Sequence, residues 1–314
     1  MSCAAWTKPA DRAALLRPRY LHHLWRHNAR HQYQSRHSAD VKGNVVRYPE
    51  PVIDWLSAWL SPIQAVLWRR GYEQSYVGGS SAREILDHIF FEAGISLRDL
   101  DLYVLKHGQV QPEDVDVLRA DLGNYGESGP LREKRRANPA LPGPACYDYL
   151  AGYGVHVAAV GRPILSLGVL HGPADLGLNG LFDMDTIFLV VPNDKPFGWY
   201  AHQVRRDIAD LVLDPYGGYR AWRVQRPEIV HWVEVERCYA RNAFRIVRSL
   251  AKAGKLRVPE NLVVEYRRRR PAEIVIDDPV ELKRDFRKVL ADRYWAEELA
   301  MVTELTDFDY GELA

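Results

Sequence analysis

The chain has 314 residues, room for about two domains at roughly 100–200 residues each, and 47% of them are hydrophobic, which excludes a wholly disordered chain. Its net charge of +1, from 42 basic and 41 acidic side chains, says nothing about partners globally and leaves only local clusters to read. Cys3, Cys146 and Cys238 share no metal-ligand spacing and suggest a reducing, cytoplasmic setting without a disulfide framework; no apolar run nears the ~18 residues of a membrane span, so no membrane partner is expected.

Residues 1–45 read as a basic accessory arm. Six arginines and five histidines lie between Arg12 and His37, interleaved with Tyr20, Trp25 and Tyr33. That composition suits a phosphate backbone and stacked bases, and equally suits a solvated or disordered arm. Over residues 51–70, Trp55, Leu56, Trp59, Ile63, Val66 and Leu67 recur at helical spacing and predict a packed helix. Residues 75–77 form a short strand ending in Gly78-Gly79. A helix should follow, with Ser81 and Glu84 as a capping box, an apolar face through Ala82, Ile85, Leu86 and Ile89, and Gly94 as its stop. Residues 99–105 alternate like a half-buried strand.

Further on, a helix opens at Gln111-Pro112 and closes near Gly123, and residues 123–144 read as a charged Gly/Pro-rich loop. Residues 155–160 and 164–170 suggest a hairpin about Gly161-Arg162-Pro163. Residues 187–191 suggest a strand, 214–218 a turn, and 238–253 and 279–303 helices. No internal repeat is visible. These elements predict an α+β fold: a small mixed-sheet head over residues 46–225, followed by a helical neck and C-terminal region over 226–314.

The chemistry concentrates in strand, glycine turn, helix, strand. Asp99 and Asp101 lie two apart on one strand and share a face, where paired carboxylates repel unless a cation intervenes. Magnesium favours a few carboxylates together with substrate phosphates. Glycines ahead of a helix allow backbone N–H groups to reach phosphate. Each part alone is common; the combination in this order is specific.

That order resembles the head domain of bacterial poly(A) polymerases and bacterial-type tRNA CCA-adding nucleotidyltransferases. The resemblance runs through Gly78-Gly79 and Arg83, then Asp99-Leu100-Asp101, then Pro112-Glu113-Asp114-Val115. It continues through the segment from Ala174 to Leu181 that contains Asn179, then Asp214-Pro215-Tyr216-Gly217-Gly218, and last Arg241-Asn242 with Arg245 and Arg248. It implies a metal-dependent enzyme that moves a nucleoside monophosphate from a nucleoside triphosphate to a hydroxyl, most simply an RNA 3′ end (tRNA or another RNA), with release of pyrophosphate. In that picture Asp99 and Asp101 hold two Mg2+ ions. Gly78, Gly79 and Ser80 grip the triphosphate, Arg83, Arg245 and Arg248 neutralise it, Asn179 positions the sugar or base, and Arg241 contacts the nucleotide.

Several positions depart from the family pattern. Its base-selecting Glu-Asp is Arg241-Asn242 here, replacing acceptors with a donor and an amide. Residues 164–170 lack a third carboxylate, leaving Asp183 and Asp185 as candidates for it, and the tail after Leu256 is short for an RNA-holding body. Two other readings therefore stay open: the same chemistry on a protein or small molecule, and an inactive head that binds RNA or a protein partner.

Overall fold

Alternation along Asp99–Leu105 puts Leu100, Leu102 and Val104 on one face and Asp99, Asp101 and Tyr103 on the other, and the sheet is built around that strand. The computed structural model describes residues 52–95, 97, 99–178, 180–224, 227–252, 258–271, 282, 287 and 295–306. The basic arm at 1–45, Asn179 and much of the helix expected over 279–303 lie outside the described residues. Among the described residues, no helix is long and apolar enough to cross a membrane.

In chain order the elements are α1 (Val52–Arg69), β1 (Gln74–Gly78), α2 (Gly79–Phe91), β2 (Asp99–Leu105), α3 (Pro112–Leu122), β3 (Glu127–Ser128), β4 (Arg132–Arg136), β5 (Tyr149–Ala158), β6 (Ile164–Leu170), α4 (Pro173–Gly177), β7 (Phe188–Pro192), α5 (Phe197–Val204), β8 (Val212–Leu213), α6 (Gly218–Arg223), α7 (Trp232–Arg237), α8 (Tyr239–Lys252), α9 (Glu260–Arg268) and α10 (Trp295–Thr306). Eight strands form one sheet in the order β3-β5-β6-β2-β1-β7-β8, with β4 also paired to β5. β2 runs parallel to β6 and antiparallel to β1, so the sheet is mixed and the fold is α+β.

The chain divides into two compact units. The first spans residues up to 135, 150–179 and 184–219; the second takes 136–149, 180–183 and 220 onward. In the first, Val77, Leu100, Leu102, Val104, Leu165, Leu167, Val169 and Leu189 bury one sheet face. Full burial of such a side chain contributes about 1.5–3 kcal/mol. α2 packs on β1, β2 and β7, and α1 on α3 and α5.

Several local readings need correction. α2 begins at Gly79 with Gly78 as its N-cap, so Ser81 is inside the helix and makes no capping box; its hydroxyl donates to the Asp99 carbonyl at 2.7 Å. The helix ends on Glu92 in the left-handed region (φ 55°) rather than on Gly94, its last turn closed by the His88 ring N–H donating to the Ala93 carbonyl. Residues 132–136, expected as loop, are strand β4, held by pairing to β5 despite having no apolar alternation.

The turn at Asp214 is built as expected. Its carboxylate accepts the Gly218 N–H at 2.6 Å and the Tyr219 N–H at 3.1 Å, and the Tyr219 hydroxyl donates to buried Asp87 on α2 at 3.0 Å. Burial outweighs these backbone donors and pushes the Asp214 carboxyl up to about 6 from 3.8. A raised carboxyl binds its proton more tightly when folded, so its stabilisation is full below 3.8 and is lost as pH rises through about 6. At about 1.4 kcal/mol per unit, wild type should lose up to about 3 kcal/mol relative to Asp214→Asn between pH 4 and 7. Denaturant unfolding of both proteins across that range measures it; parallel pH profiles would refute it.

Among its described residues the second unit is mostly helical. Tyr239 and Tyr266 are buried with ring centroids 4.5 Å apart, and each hydroxyl donates to the other's backbone carbonyl. α8 and α9 both pack on α10. Glu234 on α7 is 4% exposed; its carboxylate accepts the Ala137 N–H at 2.7 Å and two N–H groups of Arg237 at 3.0 and 2.7 Å.

Candidate active site

Register puts Gly78, the last residue of β1, directly opposite Asp101 on β2. The next residue, Gly79, opens α2 at φ +64°, and a Cβ there would come within 2.9 Å of Asp101 Oδ2. The turn therefore needs glycine twice over: for its left-handed backbone and for the carboxylate lying against it. Gly78 is confined differently, since a Cβ would meet the Phe188 ring at 2.8 Å and the Tyr103 ring at 3.2 Å. Those two rings meet edge to face at 6.0 Å. Ser80 is half-exposed on the first turn of α2. Asp99 is exposed and Asp101 half-buried on the same face of β2, with the Ser81 hydroxyl anchoring the Asp99 backbone.

Across the other flank of β2, Asp101 is level with Ser166 on β6, and Ser166 with His156 on β5. Asp99, Asp101, Ser166, His156, Glu127 and Ser128 line one cleft of about 470 Å³. The imidazole of His156 is held below its ordinary 6.5, first by burial, then by the charges of Lys134 and Arg132, with Asp99 opposing. His156, Ser166, Glu127 and Ser128 were not singled out from the sequence. One signal for two of them was available: counting five residues either way from Gly161 in the hairpin pairs His156 with Ser166.

The first unit thus brings together Gly78, Gly79, Ser80, Asp99 and Asp101. Arg83, expected at the triphosphate, is 6% exposed and engaged inside the protein: its Nη1 donates to the Met184 carbonyl and, at 3.0 Å, to Asp185 Oδ1. Asp185 is therefore Arg83's ion-pair partner, while Asp183 is buried and accepts the Glu228 N–H at 3.1 Å. Among the described residues no three or more His, Cys, Asp or Glu side chains cluster to hold a metal.

No family model matches the chain, and no curated protein does. Solved structures do. A CCA-adding enzyme in complex with ATP aligns with a TM-score of 0.50 at 12% identity, over 82% of this chain and 52% of that one. A CCA-adding enzyme in complex with CTP aligns with a TM-score of 0.49 at 13% identity, over 82% and 51%. The chain spans about half the length of the structures it matches. At such identities the first likeness shows the fold: a mixed-sheet α+β architecture with a helical C-terminal region.

The remaining predicted residues belong to the second unit, on α8. Phe244 and Val247 are buried there, while Arg241, Arg245 and Arg248 are half-buried. Arg245 donates to Asn242 Oδ1 at 3.1 Å and lies 4.0 Å from Glu234. One guanidinium nitrogen of Arg248, Nη1, is buried with no hydrogen-bond partner among the described residues. Asn242 is 1% exposed; its amide donates to the Glu234 carbonyl at 2.6 Å, so its side chain joins α8 to α7.

Proposed function

We propose that this protein is a template-independent, metal-dependent nucleotidyltransferase that extends a hydroxyl, most simply an RNA 3′ end, from a nucleoside triphosphate. The carrying observation is the Asp101 carboxylate lying against Gly79, whose left-handed turn opens α2, with Asp99 on the same strand face. The shared fold of a CCA-adding enzyme in complex with ATP supports this reading.

The backbone at Gly78, Gly79 and Ser80 binds triphosphate oxygens, and the bare Cα of Gly79 lets phosphate come close to the carboxylate pair. The donor set of Asp99 and Asp101 is all oxygen and suits Mg2+, which takes its remaining ligands from phosphates and water. Bound there, two such ions would sharpen the attacking hydroxyl and offset charge on the leaving pyrophosphate. In the transfer, a bond forms from the acceptor oxygen to the α-phosphorus and the α-phosphorus bond to the bridging oxygen breaks. Pyrophosphate leaves with that electron pair, and the hydroxyl proton passes to water. Arg83 serves by fixing α2 to Asp185. In the second unit, Arg245 and Arg248 supply positive charge for RNA.

Purified protein incubated with single nucleotides, magnesium and total RNA should release pyrophosphate and label the RNA pool. Label in protein or small molecules would change the acceptor, and no release would leave a binding head. That second reading has its own support: Ser166, beside Asp101, carries no carboxylate. Base choice should differ from the ordered C-C-A of the tRNA enzymes, because Arg241-Asn242, a donor and an amide, stand where the family pattern has two carboxylate acceptors. Sequencing of extended 3′ ends tests this, and a clean C-C-A product would refute it.

A further inference from the structure

The cleft occupies only one flank of the carboxylate pair. Its lining comes from β2, β6 and β5 and from residues 127–129, whereas Gly78 and Gly79 lie on the β1 flank of β2. If the glycine turn takes the nucleotide, the flank toward β6 and β5 is left for the group that attacks. We propose that this cleft is the acceptor subsite and that Lys134, next to it on the same sheet face, binds a backbone phosphate of a single-stranded RNA 3′ end. The inference rests on the nucleotidyl-transfer reading for its choice of flank.

Lys134 is on β4, outside β5, yet its side chain does not run out to solvent. A Cβ on Gly154 would collide with Lys134 Cε and come within 3.2 Å of Nζ, and one on Gly168 would lie 3.8 Å from Cε. Gly154 and Gly168 are register partners on β5 and β6. Two facing positions without side chains therefore make a trough, and the lysine stem lies in it. Beyond Gly168 the Tyr103 ring bounds the trough, since a Cβ on Gly168 would also meet that ring at 2.8 Å.

The trough and the cleft are neighbours along the strands. Gly154 and His156 share a face of β5, as Gly168 and Ser166 do on β6, so the lysine stem lies about 7 Å along the strands from the cleft-lining pair. The Lys134 charge, together with that of Arg132, is felt at His156. The face is thus bipolar: carboxylates on β2, and cations brought in from β4 across β5. From β2 to the β6–β5 pair under the lysine stem is one to two strand spacings, about 5–10 Å. A terminal nucleotide has the matching polarity, with a free hydroxyl at one end of the sugar and a phosphodiester anion at the other.

The test uses the full chain, with Lys134→Met and Lys134→Arg. Methionine keeps an unbranched stem in the glycine trough while removing the charge, and melting temperatures check that both variants fold. Two probes are titrated: a 5′-fluorescein-labelled 12-nucleotide oligoadenylate RNA, and ATP with magnesium. For Lys134→Met the RNA Kd should rise about fivefold or more, and the salt dependence of log K should become shallower by about 0.7, one phosphate contact on a single strand. Lys134→Arg should restore most of the binding, and the Kd for ATP should not move. Unchanged RNA binding in Lys134→Met overturns the proposal, as does failure of wild type to bind RNA. Loss of ATP instead of RNA also overturns it by placing Lys134 on the triphosphate. RNA binding that depends on Lys134 in a protein that does not bind ATP would uphold the phosphate subsite and overturn the nucleotidyl-transfer reading.

Discussion

Asp101→Asn should reduce nucleotidyl transfer at least a thousandfold while leaving the protein folded. The carboxylate lies against Gly79, at the junction of the glycine turn and the cleft, and asparagine keeps its shape but not its charge. Transition-state interactions of this kind contribute several kcal/mol, which sets the size of the loss. Leu100, Leu102 and Val104 point to the opposite face, and asparagine keeps the side-chain volume beside buried Tyr103. Relief of repulsion from Asp99 should even raise the melting temperature slightly when magnesium is withheld. Wild type should melt higher with magnesium and ATP together, and Asp101→Asn should lose most of that shift. Full activity in the variant, or no ligand-dependent shift in wild type, would refute the catalytic assignment.

Glu234→Ala should cost about 3–5 kcal/mol of stability, the range for removing one partner of a buried, hydrogen-bonded ion pair. The side chain is 4% exposed, and its loss strips partners from Arg237 and from the Ala137 N–H together. A melting temperature lower by roughly 10 °C is the expected reading. Burial pushes this carboxyl up, but the Arg237 hydrogen bond and charge, the Ala137 N–H and the Arg136 charge outweigh it and hold it below 4.5. Its stabilisation is therefore full above 4.5 and is lost as pH falls through the lowered value, so the gap between wild type and variant should narrow under acid. A melting temperature within a degree or two of wild type at neutral pH would refute the role.

The parts of the site that were legible in the sequence are those written in local periodicity. Asp99-Leu100-Asp101-Leu102 declares a strand with one wet and one dry face, and Gly78-Gly79 before an apolar helix declares a turn. What was not legible depends on partners distant in sequence. Strand β4 has five charged residues and no alternation; only pairing with β5 makes it a strand. Gly154 and Gly168 look unrelated until register sets them face to face beneath Lys134. Arg83 matches a substrate-binding position by spacing, but the tertiary fold places Met184 and Asp185 within its reach. Asn242 looks like a base reader until helix packing brings it to the end of α7.

The borders of the sheet bear on how copies of this protein behave when crowded together. Strands left unpaired at a sheet's margin are templates for strands from neighbouring molecules, and a chain of net charge +1 has little overall repulsion to keep neighbours apart. Here β8 offers two residues at one margin, β3 two at the other, and β4 carries Arg132, Glu133, Lys134, Arg135 and Arg136. A foreign strand seeking backbone partners finds ledges too short to hold it or a row of charges that it would have to desolvate. Resistance to edge-to-edge pairing is thus built into the margins of the sheet, and replacing the charges of β4 with valine or threonine would weaken it.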